Sequence, residues 1–489
     1  MKILVTGATG YVGSKLVPLL VSAGHEVRCM VRNPSAAKAD ELPGATLIQG
    51  DALDPGSLRS ALEGIDVAYY LIHSMGGNKA GFEERDLRAA RNFATSAKRA
   101  GVQRLIFLGG LASQGPPTDA HPTSAHPISA HLKSRHETGA MLRECGPPVT
   151  EFRAGIIVGN GSVSFEMIRY LTERLPVMIC PRWVVTRTQP IAIGDVLRYL
   201  VAALAVPASS GQIVEIGGAT VETYRSMMLV YARARGLRRW LLRVPVLTPK
   251  LSSYWLRLVT PFPAAITRPL IEGLRTEVVC TSSKAEELFP QIVPMSYATA
   301  VEAALSRQVP DETLTNVPGG VLHRSVRRQG LICDLRQIVV NAPAEQIFSV
   351  VESLGGEGGW LYSNFLWQIR GFIDLLLGGV GMKRGRSGKT LRAGDHVDFW
   401  RIEKVMPGES LLLRAEMKLP GRAWLQFALL PAPAPGTLLR CCAWFEPRGI
   451  AGEIYWWLLY PIHVLIFQGL VKAIQNQSEH NFRALSLIG

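Results

Sequence analysis

The segment Thr6-Gly7-Ala8-Thr9-Gly10-Tyr11-Val12-Gly13 constrains this chain more than any other stretch. It stands directly behind a short apolar run, Lys2–Thr6, that reads as a strand. It opens Tyr11–Ala23, which reads as a helix ended by Gly24. Glycines at this spacing have separate tasks. Gly7 permits a sharp turn, Gly10 lets a pyrophosphate approach bare backbone, and Gly13 lets the helix pack close to the strand. The bound anion then rests on N–H groups at the helix N-terminus. A glycine turn without a ligand would use the same residues, but the strand–turn–helix context favours a phosphate cradle.

The alternation continues beyond the turn. Strands are expected at Glu26–Arg32, Ala45–Gln49, Asp66–His73, Arg104–Leu108 and Val149–Val158. Helices are expected at Phe82–Ala100 and His131–Cys145, and Gln189–Ile193 and Gln212–Ile216 read as later strands. Strands alternating with helices predict a doubly wound parallel sheet covered on both faces, an α/β unit. Between Leu111 and His131 the text is rich in Pro, Ser and His. His121, His126 and His131 stand at spacing five, which shares no helix face, so a loop is expected there rather than a metal site.

With 489 residues the chain has room for two or three domains. Composition shifts near Pro310–Gly330, where NVPGG precedes the basic HRSVRRQG. The expected division is residues 1–315, a linker at 316–330, and a second domain at 331–489. In that domain Leu331–Val340, Val397–Val405, Ser410–Leu419, Ala423–Leu430 and Leu438–Phe445 read as strands. Ala342–Glu352 reads as a helix with Asn341 as its cap and Pro343 in its first turn. A long apolar helix closes the chain, giving an α+β domain in which a curved sheet grips a helix. Within it, Ile454–Val471 approaches the length of a membrane span. Pro461, His463 and Gln468 would be costly in lipid, so a buried C-terminal helix is the expectation.

The formal charge of +14 suits nucleic acid, anionic membrane or phosphorylated ligands alike. Nucleic acid is not expected, because no recognised motif frames the basic residues. Peripheral contact with anionic lipid is kept open by Ala232–Arg243, with five Arg around Trp240, and by the aromatic and basic text of Ser253–Arg275. Seven scattered Cys without a CxxC point to a reducing compartment, and the N-terminus does not read as a signal peptide. A cytoplasmic protein, with membrane association as an option, is expected.

The second strand ends at Arg32 where an acidic residue would accept from a ribose hydroxyl. A guanidinium there suits a 2′-phosphate, which favours NADP(H), with NAD(H) the second choice. Asp51, after the third strand, reads either as an acceptor for the adenine amino group or as a helix cap, Asp54 being an equally good cap.

On these residues, about 1–220 resemble the atypical, extended branch of the short-chain dehydrogenase/reductase family, the NmrA-like and epimerase-like NAD(P)-binding group. Gly50-Asp51, Arg153-Ala-Gly155 with Gly159, and Pro190-Ile-Ala-Ile-Gly-Asp195-Val fit the same pattern. The resemblance implies cofactor contacts from Gly7, Thr9, Gly10, Tyr11, Val12, Gly13, Arg32, Asp51, Ala52, Leu71, His73 and Gly109. Active members use a Tyr-x-x-x-Lys pair. Here His131 stands at the Tyr position and Arg135 at the Lys position, and Gly109-Gly110 replaces the usual Ser pair, with Ser113 close by. His131 is suited to general acid work near neutral pH, while Arg135 can bind a ribose or phosphate but cannot cycle a proton.

Residues about 331–480 resemble the START-like, helix-grip (SRPBCC) superfamily, and more closely the domain found fused behind such dehydrogenase-like domains in bacteria. The matching text is Asp398-Phe-Trp-Arg401, Ala415–Trp424 and Tyr455-Trp456 through Pro461-Ile-His463. Trp400, Trp424, Trp456 and His463 are the candidate ligand contacts of an aromatic-lined cavity, against the alternative that the aromatics fill a core. The functional expectation is an NADP(H)-dependent oxidoreductase of a hydrophobic small molecule that the C-terminal domain helps to hold. The alternatives are a non-catalytic NADP(H)-sensing protein and a membrane-peripheral, quinone- or lipid-related one. No metal is expected.

Overall fold

The computed structural model describes residues 1–34, 42–72, 82–112, 129–180, 182–243, 273, 276–306, 322–328, 330–382, 390–432 and 436–486. It divides into two units, one built on Met1–Gln308 and one on Asn316–Gly489.

The first unit begins β1 (Lys2–Thr6), α1 (Gly13–Ser22), β2 (Glu26–Val31), β3 (Thr46–Gln49), α2 (Pro55–Leu62), β4 (Val67–Tyr70), α3 (Phe82–Arg99), β5 (Arg104–Gly110), α4 (Ala130–Cys145) and β6 (Val149–Ala154). It continues with β7 (Ile157–Val158), α5 (Val163–Arg174), β8 (Val177–Cys180), β9 (Arg187–Thr188), β10 (Ile191–Ala192) and α6 (Ile193–Ala202). Then come β11 (Ile213–Ile216), β12 (Glu222–Thr223), α7 (Tyr224–Ala234), β13 (Trp240–Arg243), α8 (Lys284–Leu288) and α9 (Tyr297–Leu305).

The main sheet is parallel throughout, in the order β3-β2-β1-β4-β5-β6-β11. Side-chain alternation explains its two covered faces. Ile3 and Val5 of β1 pack with Leu16 and Leu20 of α1 and Leu200 of α6 on one side. Leu4 packs with Leu58 of α2, Phe93 of α3 and Leu142 of α4 on the other. The order reverses between β1 and β4, and the crevice at the carboxyl ends of such a pair is where open α/β sheets bind ligands.

Two expected strands are shorter than the sequence implies. Val149–Val158 breaks after Ala154, where a Cβ on Gly155 would lie 3.0 Å from the Gln189 carbonyl oxygen. In Gln189–Ile193 only Ile191–Ala192 is strand, and Ile193 already opens α6.

The second unit contains β14 (Leu322–Arg328), β15 (Leu331–Val340), α10 (Ala344–Glu352), α11 (Asn364–Leu376), β16 (His396–Val397), β17 (Trp400–Met406), β18 (Ser410–Ala415), β19 (Gly421–Pro431), β20 (Thr437–Pro447) and α12 (Gly449–Ser486). Its sheet is antiparallel, ordered β14-β15-β20-β19-β18-β17-β16. One sheet face, with Leu425, Phe427, Leu439 and Cys441, buries Ile347 and Val351 of α10 and Phe467, Leu470 and Ile474 of α12.

Four expectations change here. Residues 322–328, assigned to the linker, are strand β14 paired to β15. Pro343, not Asn341, stands at the N-cap of α10, without a side-chain cap. Val397–Val405 is interrupted because Asp398 adopts a left-handed φ of 54°. The last helix is core on one side only, since Ile454, Trp457, Leu458 and Leu465 are exposed.

The Asp398 turn is held by its carboxylate, which accepts from the buried Trp360 Nε1 at 2.8 Å and from the Gly356 N–H at 3.3 Å. Burial raises its pKa, and those two donors oppose the rise. Asp398→Ala would strand the Trp360 N–H and remove a side chain that tolerates this φ. Denaturant titration should show a loss of about 1–3 kcal/mol for Ala, and a smaller loss for Asp398→Asn, which keeps an acceptor.

Candidate functional site

Gly7 turns the chain at the end of β1 with φ 68°, and a Cβ there would lie 2.6 Å from the Leu71 carbonyl oxygen. Thr6, wholly buried, draws the same two segments together. Its Oγ1 donates to the Tyr69 carbonyl at 3.0 Å and accepts from the Leu71 N–H at 3.3 Å. A Cβ on Gly13 would fall 2.2 Å from the Gly7 carbonyl oxygen, and one on Gly10 3.1 Å from it. At Gly7 and Gly13 only hydrogen fits, Gly10 is tight, and a backbone surface is left where side chains would stand.

Val12 at the α1 N-cap makes no side-chain cap, and no acidic residue lies in the first turn. That helix end is electrostatically suited to an anion. Thr9 and Gly10 are exposed beside it. Tyr11 lies under Lys15, 5.6 Å from the ring centroid to Nζ. A Cβ on Gly159 would come within 2.5 Å of the Tyr11 hydroxyl, so Gly159 makes room for the ring.

Arg32 is exposed just past the end of β2. Asp51 is half-buried and its Oδ1 accepts from the Leu53 N–H at 2.9 Å. The capping role falls to Asp54, whose carboxylate accepts from the Gly56 and Ser57 N–H groups at the start of α2. Ala52 is buried, and Leu71 follows β4 at the crevice. His73, and the loop histidines His121 and His126, lie outside the described residues, as does Ser113.

The catalytic candidates sit on α4. Ser129 caps that helix, its Oγ accepting from the Leu132 N–H at 3.4 Å. His131 is in its first turn, and its side chain is outside the described set. Arg135 turns inward: it donates to the Leu108 carbonyl oxygen, and its guanidinium lies 5.7 Å from the Phe107 ring centroid. Burial lowers its pKa to about 10, opposed by the charges of Asp86 and Tyr70, and it stays a cation at neutral pH. The glycines of β5 explain how the helix comes so close. A Cβ on Gly110 would lie 2.7 Å from Leu132 Cδ2, and one on Gly109 would lie 3.2 Å from the Phe107 ring.

His136, one residue on, carries no signal in the local pattern. Its Nε2 lies 3.0 Å from the Gly110 carbonyl oxygen, at the end of β5. Burial first, and then the charge of Arg153, lower its pKa, so it is neutral and donates from Nε2 at pH 7. Beneath it the fully buried Glu151 pairs with Arg143 of α4 and, at 2.7 Å, with Arg153. Sequence spacing could not find this cluster, because α4 and β6 meet only in the fold.

In the second unit, Trp400 is buried on the sheet face that packs α12 and Trp456 on the sheet-facing side of α12, and no hydrogen-bond partner for either indole N–H is found among the described residues. Trp456 stacks on Phe445 at 5.5 Å and meets His463 at 5.0 Å. Trp424 is on the opposite face: its neighbour Leu425 points into the core, so alternation turns Trp424 away, and its Nε1 donates to Glu403 at 3.1 Å. It therefore does not line a cavity under the helix.

Residues 7–174 match the NAD(P)H-binding family. That segment lies within the parallel sheet with flanking helices, which has the Rossmann arrangement. Residues 328–470 match a family described as Protein of unknown function (DUF2867); a START-like identity is not shown.

The chain is 27% identical over 250 residues to the photosystem II assembly factor Ycf39 of Cyanophora paradoxa, covering 50% of this chain and 72% of that protein. It is 35% identical over 115 residues to the 3 beta-hydroxysteroid dehydrogenase/Delta 5-->4-isomerase of Mycobacterium tuberculosis, covering 22% of this chain and 30% of that enzyme. Among solved structures, the Citrobacter sp. triphenylmethane reductase aligns with a TM-score of 0.49 and 18% identity, over 63% of this chain and 100% of that one. The Escherichia coli NADPH-dependent quinone oxidoreductase QOR2 aligns at 0.48 and 20%, over 62% and 100%.

Two measurements test these sites. Gly13→Val would drive a side chain into the Gly7 carbonyl, and fluorescence titration should find no saturable binding of NADPH or NADH. In the second unit, burial and then the charge of Arg370 lower the pKa of His463 to about 4. The unfolded imidazole protonates near 6.5 and the folded one resists, so stability present above pH 6.5 is lost as pH falls toward 4. The loss should reach about 3 kcal/mol. Urea unfolding across that range should show it, and His463→Phe should flatten the slope.

Proposed function

We propose that this protein binds NADP(H) in the Gly7–Gly13 turn and acts as an oxidoreductase on a hydrophobic small molecule, with the second unit helping to hold that molecule. The observation that carries the reading is the turn itself, where Gly7 and Gly13 leave no room for a side chain and the α1 N-terminus has no side-chain cap. Bound there, the nicotinamide would supply or accept a hydride. The chain's own contribution is to hold the pyrophosphate on backbone N–H groups, to meet the 2′-phosphate with Arg32, and to place Asp51 near the adenine.

A proton for such a reaction would come from His131, in the first turn of α4 and at the position a tyrosine holds in related enzymes. A steroid dehydrogenase among the relatives supports an apolar substrate. The unpartnered indole N–H groups of Trp400 and Trp456 favour a ligand with polar acceptors in the second unit.

A second reading, an NADP(H)-sensing protein without turnover, is favoured by Arg135, which is committed to the Leu108 carbonyl and the Phe107 ring rather than to a ligand. A panel of ketones, aldehydes and quinones with NADPH separates the two. Turnover abolished by His131→Ala supports the enzyme, and saturable NADPH binding with no turnover supports the sensor.

Cofactor choice rests on Arg32. Calorimetric titration should find NADPH bound more tightly than NADH, and Arg32→Ala should erase about 1.5–3 kcal/mol of that preference. Equal affinities in both proteins would remove Arg32 from the site.

A further inference from the structure

Helix α11 is amphipathic the wrong way round. Its charged residues face the protein. Asp374 is fully buried and accepts from the Lys418 N–H at 2.6 Å and the Gly381 N–H at 2.9 Å, and Arg370 donates to the Lys418 carbonyl oxygen at 3.4 Å. Its outer face carries Phe365, Phe372 and Leu376, exposed by 61%, 61% and 72%. A helix in water normally presents the reverse pattern.

Its neighbour does the same. The ring of Tyr362, just ahead of α11, packs against Gly469 of α12, Trp367 lies 6.3 Å from Phe467, and the charge of Arg370 acts on His463. Positions that rise along α11 thus meet positions that fall along α12, and the two helices run antiparallel. Alongside α11, the outer stripe of α12 holds Ile454, Leu458 and Leu465, with Leu458 exposed by 73% and Trp457 by 50%. Its turns at 450, 454, 457–458, 461–462 and 465 are apolar without exception. Contiguous apolar surface of this extent marks a binding face.

We propose that the outer face of α11 and α12 docks on an anionic lipid bilayer, lying in its interface. Charge in the adjoining sequence favours lipid. Lys383, Arg384, Arg386 and Lys389 follow Met382 in the sequence, and the one carboxylate between residues 361 and 390 is the buried Asp374. Arg448 stands exposed immediately ahead of α12. Apolar side chains that enter the acyl boundary beside cations that meet lipid phosphates form the pattern of interfacial helices, and Trp457 and Tyr460 are residues favoured at that depth.

A transmembrane span is a poorer fit. The inner stripe of α12, with Phe467, Leu470 and Ile474, belongs to the protein core, so lipid cannot surround this helix. Depth is limited to the exposed half, where no polar group of the inner face need enter the bilayer. This docking is independent of nucleotide binding at Gly7–Gly13.

Flotation of the full chain with phosphatidylcholine vesicles, with and without phosphatidylglycerol, tests the assignment. The chain should float with the mixed vesicles, less with neutral ones, and less as salt rises. Phe372→Glu, Leu376→Glu and Leu458→Glu should each lower partitioning about tenfold, with unchanged circular dichroism because all three are surface positions. Brominated lipid should quench the tryptophan fluorescence of the full chain, and Trp457→Phe should reduce that quenching. Flotation undiminished by the triple variant would overturn the proposal, moving the lipid contact elsewhere. A wild type that ignores every vesicle would overturn it too, and if it sediments as a dimer that Leu458→Glu dissociates, a second copy covers the face.

Discussion

The first unit depends on the absence of side chains between the end of β1 and the start of α1. A Cβ at Gly7 or Gly13 would fall within 2.6 Å of backbone atoms. That closeness lets Thr6 bond both Tyr69 and Leu71, which fixes β4 beside β1 at the point where the sheet order reverses. The crevice at that point, the uncapped α1 end and the reach of Arg32 are all consequences of one tight turn.

Glycine does a second, different job at the end of β5. Gly110 admits Leu132 and brings α4 down onto the strand, where Arg135 finds the Leu108 carbonyl and His136 finds that of Gly110. The position that serine holds in related enzymes has been given to close packing.

The second unit is organised around polar groups placed in unusual company. Asp398 turns the chain and holds the Trp360 indole, Asp374 is buried beneath α11, and His463 stays neutral between Trp456 and Phe467. Burying these groups leaves the outer helical faces to phenylalanine, isoleucine and leucine. That inversion makes sense only against a surface that is itself apolar.

Local sequence determined the phosphate turn, the alternation of strands and helices, the capping of α2 by Asp54 or Asp51, and the meander that follows residue 400. Each depends on neighbours within a few residues: a glycine's missing Cβ, a period of two or of 3.6, a carboxylate two residues from an N–H. Tertiary structure decided the rest. Periodicity could say that the last helix is apolar nearly all round, and from that buried was the natural expectation. Only packing on β15 and β20 separates its core stripe from its exposed one. In the same way Trp400, Trp424 and Trp456 look alike in the sequence, but strand alternation sends Trp424 to the other face of the sheet. His136 gains its role from a carbonyl 26 residues away. Such partners are far apart in the chain and close in space, and no local pattern records which of them will meet.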